Sequence, residues 1–204
     1  MTLQSNNDTL ITVFGGSGFL GRHLVRALAR RHYRIRVAVR RPDLAGHLQP
    51  LGRVGQIHPV QANVRHPGSV EAAVRGADVV CLCTSATAPV VAPGWLAPGA
   101  HVTSVGYAPP GGELDPAIAR AGRLLVETRD AFAPPPAGCA ELAGLDPADA
   151  AELGEVVAGT RAGRVADDAL TVYKSMGSVV EDLAAADVVI RRAEALGAGR
   201  RIPF

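Results

Sequence analysis

The chain has 204 residues, 48% of them apolar and 20% charged, with a net charge of +2. This is the balance of one globular domain with a sizeable core and at most a small appendage, and it excludes fibrous and disordered classes. No apolar run reaches the roughly 18 residues of a membrane-spanning helix, and the polar start, MTLQSNNDT, has no secretory pattern, so a cytoplasmic setting is expected.

Residues 9–14 (TLITVF) are a short β-branched apolar run, hence a strand. The glycine-rich stretch 15–21 (GGSGFLG) follows, then 22–31 (RHLVRALARR). Leu20, Leu24, Ala27 and Leu28 recur there at helical spacing with arginines opposite, which predicts an amphipathic helix. RIRVAVR (34–40) alternates and reads as a second strand, and GQIHPVQANV (55–64) as a weaker third ending near Asn63. SVEAAVRG (69–76) reads as a short helix, capped by Ser69 and closed by Gly76. ADVVCLCTS (77–85) and GAHVTSVG (99–106) are strands four and five. ELDPAIARAG (113–122) reads as a helix and RLLVETRDAF (123–132) as strand six. APPPAG (133–138) is expected to be a stiff connection without internal pairing. Helical pieces are expected around AELGEVVAG (151–159), then a strand and turn in ALTVYKSMG (169–177). The last helix is the clearest. Ser178 and Glu181 make an S-x-x-E capping box, apolar residues recur at Val179, Leu183, Ala186, Ile190 and Ala193, and Gly197 stands at the C′ position.

Alternating strands and helices with near-continuous apolar strands predict an α/β fold: a Rossmann-type, doubly wound parallel sheet, single-domain, with a C-terminal helical extension. The core is placed at 1–132 and the extension, with the long final helix, at 133–204. Charge is uneven along this layout. Residues 1–77 carry 11 arginines against three acidic residues, and residues 78–204 carry 10 basic against 16 acidic ones. Only Tyr33 interleaves with these arginines, which argues against nucleic acid as a partner. The three cysteines form no CxxC; Cys81 and Cys83 alternate on one strand and read as buried thiols in a reducing compartment. The histidines lack metal-ligand spacing, so no metal is expected, and Trp95 reads as a packing anchor.

Sheets of this class bind ligands beyond the carboxyl ends of their strands. After the first strand, Gly15, Gly18 and Gly21 lie three apart, and Gly16, Gly18 and Gly21 give a G-x-G-x-x-G match. Glycine lets the backbone turn tightly toward a pyrophosphate, and the following helix offers free N–H groups to the anion. The segment Gly15, Gly16, Ser17, Gly18, Phe19, Leu20 and Gly21 is therefore the candidate dinucleotide loop. The second strand ends in Arg40 and Arg41 where an acid would suit NAD; guanidinium groups suit a 2′-phosphate, so NADP(H) is preferred, with NAD(H) also accommodated. Asn63 and Val64, after the third strand, are placed to flank the adenine.

Two resemblances emerge. ITVFGGSGFLGRHLVRAL, YRIRVAVRRPD and QANVRHPGSVEAAVRGADVV resemble atypical short-chain dehydrogenase/reductase proteins, most closely the NADPH-binding accessory subunits of respiratory complex I, over residues 9–80. That resemblance implies a glycine loop on the pyrophosphate and a basic residue, Arg40, for NADPH. Beyond Asp78 no Tyr-x-x-x-Lys pair follows; Tyr173 and Lys174 are adjacent and read as structural. Instead ADVVCLCTSATAPVV, WLAPGAHVTSVGYAPPGGELD, AGCAELAGLDPADAAELGEVVAG, DDALTVYKSMG and EDLAAA resemble the ornithine cyclodeaminase/mu-crystallin family over residues 77–196. This resemblance implies a bound NAD(P), with Thr84, Val105, Gly106 and Ser175 on the cofactor side. It also implies a catalytic aspartate after the VG segment, where this chain has Tyr107 and Ala108, and an N-terminal segment that builds the substrate pocket, of which about eight residues precede the first strand. The chain thus reads as two family halves joined near 76–80. Its expected function is NAD(P) binding without a complete catalytic site. The alternatives are an NAD(P)-dependent oxidoreductase or cyclodeaminase of the second family, and a nucleotide-binding accessory subunit. A homodimer, or association through the final helix, is expected because that helix presents a wide apolar stripe.

Overall fold

A computed structural model describes residues 6–202. The strands are β1 (Leu10–Phe14), β2 (Arg34–Val39), β3 (Ile57–Gln61), β4 (Val79–Leu82), β5 (His101–Ser104), β6 (Arg123–Val126), β7 (Ala151–Glu152) and β8 (Thr171–Lys174). All pair in parallel in a single sheet of order β3-β2-β1-β4-β5-β8-β6-β7. The chain starts in the middle, winds outward to β3, and returns to place β4 beside β1. The order reverses there, and a crevice opens at such a switch point. β3, which contains Pro59, forms one edge, and the two-residue β7 forms the other.

The helices are α1 (Phe19–Arg30), α2 (Pro67–Val74), α3 (Pro116–Ala121), α4 (Leu153–Val157) and α5 (Val179–Leu196). Strand side chains alternate between two cores. Ile11, Val13, Ile35, Val37 and Cys81 pack with Val25 and Ala29 of α1 and with Ala45 and Leu48 of a 3-10 segment, Pro42–Leu51. Phe14, Val80, Leu82, Val102 and Val172 face the other way, against Val70, Ala73 and Val74 of α2 and Ile118 of α3. Cys81 and Cys83 do share one face, as their spacing predicts, and Trp95 packs against the second core.

Several local expectations need correction. The buried face of α1 is Gly21, Val25 and Ala29, while Leu20 is half exposed. The stripe is turned by one residue because Gly21 sits so close to the preceding turn that a Cβ there would come within 2.2 Å of the Gly15 carbonyl oxygen. Ser69 is not the cap of α2; His66 is, and the Ser69 hydroxyl donates back to the His66 carbonyl at 2.8 Å while receiving the Asn63 N–H at 3.0 Å. The connection 133–138 is a turn with its own pairing, since the Ala137 and Gly138 N–H groups both donate to the Pro134 carbonyl. At α5 the Ser178 hydroxyl accepts from Val180 N–H, but Glu181 turns to Glu127 instead of closing the box. Gly197 does end the helix, with a left-handed φ of 60°.

Residues 133–202 contribute β7 and β8 to the sheet as well as α5. None of the 18 residues of α5 is buried. Its Val179, Leu183, Val189 and Ile190 point into solvent, so the apolar stripe read from the sequence is uncovered. No helix among the described residues is long and apolar enough to cross a membrane.

Candidate dinucleotide cleft

The turn after β1 is shaped by what glycine permits. Gly15 has a left-handed φ of +72°, and a Cβ on it would stand 2.2 Å from the Cys83 carbonyl oxygen. The Gly18 N–H closes the turn on the Gly15 carbonyl at 2.9 Å, and Gly18 caps α1 with no side-chain hydrogen bond. The first-turn N–H groups of α1 have no helical carbonyl to satisfy them, so the positive end of the helix is left for an anion.

The carboxyl ends of β1 to β4 open onto a cleft of about 530 Å³, within the rough range of 300–1,000 Å³ of small-molecule sites. Gly15, Ser17 and Gly18 line it from the turn, Arg40 from the end of β2, Asn63, Val64 and Arg65 from the end of β3, and residues 83–86, which include Thr84, from the end of β4. Seven of the residues read from the sequence therefore meet at one site. The others stand outside its lining. Gly16 and Gly21 are packing positions: a Cβ on Gly16 would lie 2.7 Å from Val37. Phe19 is exposed, edge-on to His23 with the Arg22 guanidinium over its ring, and Leu20 is beside it on the surface. Arg41 turns away and forms a two-point pair with Asp43, at 3.0 and 2.7 Å. Among the described residues, Arg40 and Arg65 carry no such pair.

Val105 and Gly106 lie just behind the rim, in a buried polar network that sequence reasoning missed. Glu113 is 1% exposed. Its Oε2 accepts from the Thr84 N–H and hydroxyl, each at 2.7 Å, and its Oε1 accepts from the Gly106 N–H at 2.7 Å and the Ser104 hydroxyl at 3.0 Å. Lys174, fully buried at the end of β8, donates to the Gly106 carbonyl at 2.7 Å, to Ser104 Oγ at 3.2 Å, and to Glu141 Oε1 at 2.9 Å. One signal pointed to it: Lys174 is the only lysine in a chain of 20 arginines. Ser175 is held elsewhere. Its hydroxyl donates to Glu127 Oε1, and Glu127 Oε2 accepts the N–H groups of Met176 and Gly177. Tyr173 reaches the same carboxylate at 3.4 Å, and its phenol is pushed up to about 12 by burial and then by the Glu127 charge. Tyr173 and Lys174 are thus engaged in separate networks, which agrees with their structural reading.

The titratable groups on the cleft lining are few. Cys83 is one; burial first, and the Glu113 carboxylate second, push its thiol up to about 11. The shift disfavours the thiolate, the nucleophilic form. No cluster of metal-ligating side chains occurs among the described residues.

Comparison with known proteins matches this architecture. Ketimine reductase mu-crystallin of Mus musculus is 43% identical over 131 residues, which are 64% of this chain and 40% of that protein. Delta(1)-pyrroline-2-carboxylate reductase of Bacillus cereus is 38% identical over 139 residues, 65% of this chain and 42% of that one. The chain therefore spans about two fifths of the length of these relatives. The structure of the Thermococcus litoralis Delta(1)-pyrroline-2-carboxylate reductase, determined with NADH and L-proline, shares the fold, with a TM-score of 0.76 over 97% of this chain and 62% of that one at 24% identity. A model of one family matches residues 49–197, crossing the 76–80 junction from well upstream of it, and by that match the chain belongs to the ornithine cyclodeaminase/mu-crystallin family.

Proposed function

We propose that the chain binds a nicotinamide dinucleotide in this cleft, NADP(H) in preference to NAD(H), and forms the cofactor-binding part of a reductase acting on C=N bonds such as those of ketimines. The observation that carries the reading is the cleft itself. An uncapped helix end and a glycine turn stand at its centre, and two guanidinium groups without acidic partners, Arg40 and Arg65, stand at the ends of β2 and β3. A diphosphate suits the first and a 2′-phosphate the second. The named activities of the relatives supply the substrate class.

Bound reduced dinucleotide supplies a hydride for the imine carbon. The chain's own residues bind and orient: Gly15 and Gly18 allow close approach of the diphosphate, Arg40 holds the phosphate on the ribose, and Asn63 and Val64 flank the base. The proton for the nitrogen must come from an acid. Among the described residues no carboxyl or imidazole lines the cleft. This supports a second reading, a dinucleotide-binding module without turnover of its own. Turnover of a cyclic ketimine by the purified chain separates the two readings; binding without turnover favours the second.

The test of binding is titration with NADPH and NADH. Arg40→Ala is expected to lose NADPH affinity by about tenfold or more, with NADH nearly unchanged. Arg41→Ala, whose side chain is occupied by Asp43, is expected to change neither. No affinity for either dinucleotide overturns the proposal. Association of two copies through α5 and a cytoplasmic setting belong to the same proposal. They rest on the uncovered stripe and the unpaired cysteines respectively.

A further inference from the structure

The geometry points to Glu113 as the positioning residue for the nicotinamide half of the cleft, an inference that rests on the dinucleotide reading above. In a sheet of this order the adenosine half lies over the β1–β2–β3 side of the switch point, and the second nucleotide lies over the β4–β5 side. The β4–β5 ladder ends at the pair Leu82 and Ser104. Past it one backbone bond remains, from Val105 N–H to the Leu82 carbonyl at 3.2 Å, and then the strands part to form the rim.

The carboxylate of Glu113 takes over where the ladder stops. One oxygen holds the β4 loop through both donors of Thr84, and the other holds the β5 loop through Gly106 and Ser104. Thr84 passes the restraint on, since its hydroxyl oxygen also accepts the Ala86 N–H at 3.2 Å. Lys174 fixes the other side of the same peptide segment through the Gly106 carbonyl. A side chain on Gly106 would not fit, because a Cβ would stand 2.6 Å from the Glu113 carboxyl carbon. Burying a carboxylate and an ion pair is expensive, and well-packed apolar side chains usually stabilise as much. What apolar residues cannot supply is a fixed direction for the Thr84 and Gly106 peptide groups. The lining at Arg40 and at residues 63–65 shares no hydrogen bond with this network.

The two halves of the ligand therefore respond differently. The experiment measures, on the whole chain, the affinities of NADPH and of adenosine 2′,5′-bisphosphate, which occupies the adenosine half alone. Glu113→Gln puts an amide donor against a backbone N–H and a hydroxyl, whichever carboxylate oxygen it replaces. It is expected to weaken NADPH about tenfold or more and the bisphosphate less than about twofold. Ser104→Ala removes one bond to the carboxylate and the Lys174 bond at 3.2 Å without touching the cleft lining; it is expected to show the same split at about threefold, and it carries the test if Glu113→Gln does not fold. Equal losses for both ligands mean a merely structural role and overturn the inference, as do unchanged affinities for both. A wild-type chain that binds neither ligand overturns the dinucleotide reading itself, an outcome distinct from equal losses.

Discussion

Gly15 shows how much a single position can carry. Its left-handed φ, its contact with the Cys83 carbonyl and its place on the cleft wall coincide. Gly15→Ala is expected to cost about 2–4 kcal/mol of stability, from the backbone strain and the forced displacement of residue 83. It should also abolish dinucleotide binding; denaturant unfolding and an NADPH titration check the two effects. The tight turn at this residue was readable in advance from a glycine pattern set between a strand and a helix. Arg40 and Arg41 show the limit of such reading. Adjacent arginines look alike in a sequence, and only the fold shows that Asp43 takes one of them. Arg65 and Glu113 were missed for a related reason: nothing in periodicity or spacing says that a loop arginine lines a cleft or that a loop acid is buried.

At the scale of elements, short-range signals translated well where a strand or helix lies against the core, and less well at its ends. Strand positions followed from β-branched runs. The capping of α2 did not, because Pro67 opens that helix two residues before Ser69. The start of α4 shows how charge can fix an end. Glu155 accepts the Glu152 N–H at 2.8 Å and the Arg129 guanidinium at 2.9 Å, and these hold its carboxyl below the ordinary range, the backbone bond most of all. A depressed carboxyl contributes stability that is present above its unfolded pKa and is lost as pH falls through the folded one. Wild type should therefore lose more stability than Glu155→Gln on acidification from about pH 5 downward, as read by thermal melts across pH. Glu181 has the opposite sign. Burial and then Glu127 raise its carboxyl, so the comparison must be made between the two proteins and not from one curve. For α5, Leu183→Lys combined with Ile190→Lys is expected to leave fold stability within about 0.5 kcal/mol, since neither side chain is buried. The same variant is expected to abolish self-association in sedimentation velocity.

At the scale of the whole molecule, the alternating order of strands and helices predicted one parallel sheet, and one sheet is what forms. β4 is inserted between β1 and β5, so the basic portion, 1–77, and the acidic portion, 78–204, meet along a central β1–β4 seam. Unfolding is expected to be a single cooperative transition by circular dichroism and by intrinsic fluorescence from Trp95. Val13→Ala in β1 and Val126→Ala in β6, on opposite sides of the seam and both fully buried, should each lower the same midpoint and cost about 1.5–3 kcal/mol. Two separate transitions would show that the halves are coupled only loosely. The crossing of β8 between β5 and β6 was not readable, because strand order depends on long-range packing that local pattern does not encode.

The two margins of the sheet have a consequence for assembly. Pro59 deprives the β3 edge of a donor, and β7 offers only two residues at the opposite edge. Each border is therefore a poor template for a further strand, which works against growth of copies by ribbon extension into fibrils and leaves side chains as the main means by which two copies can meet.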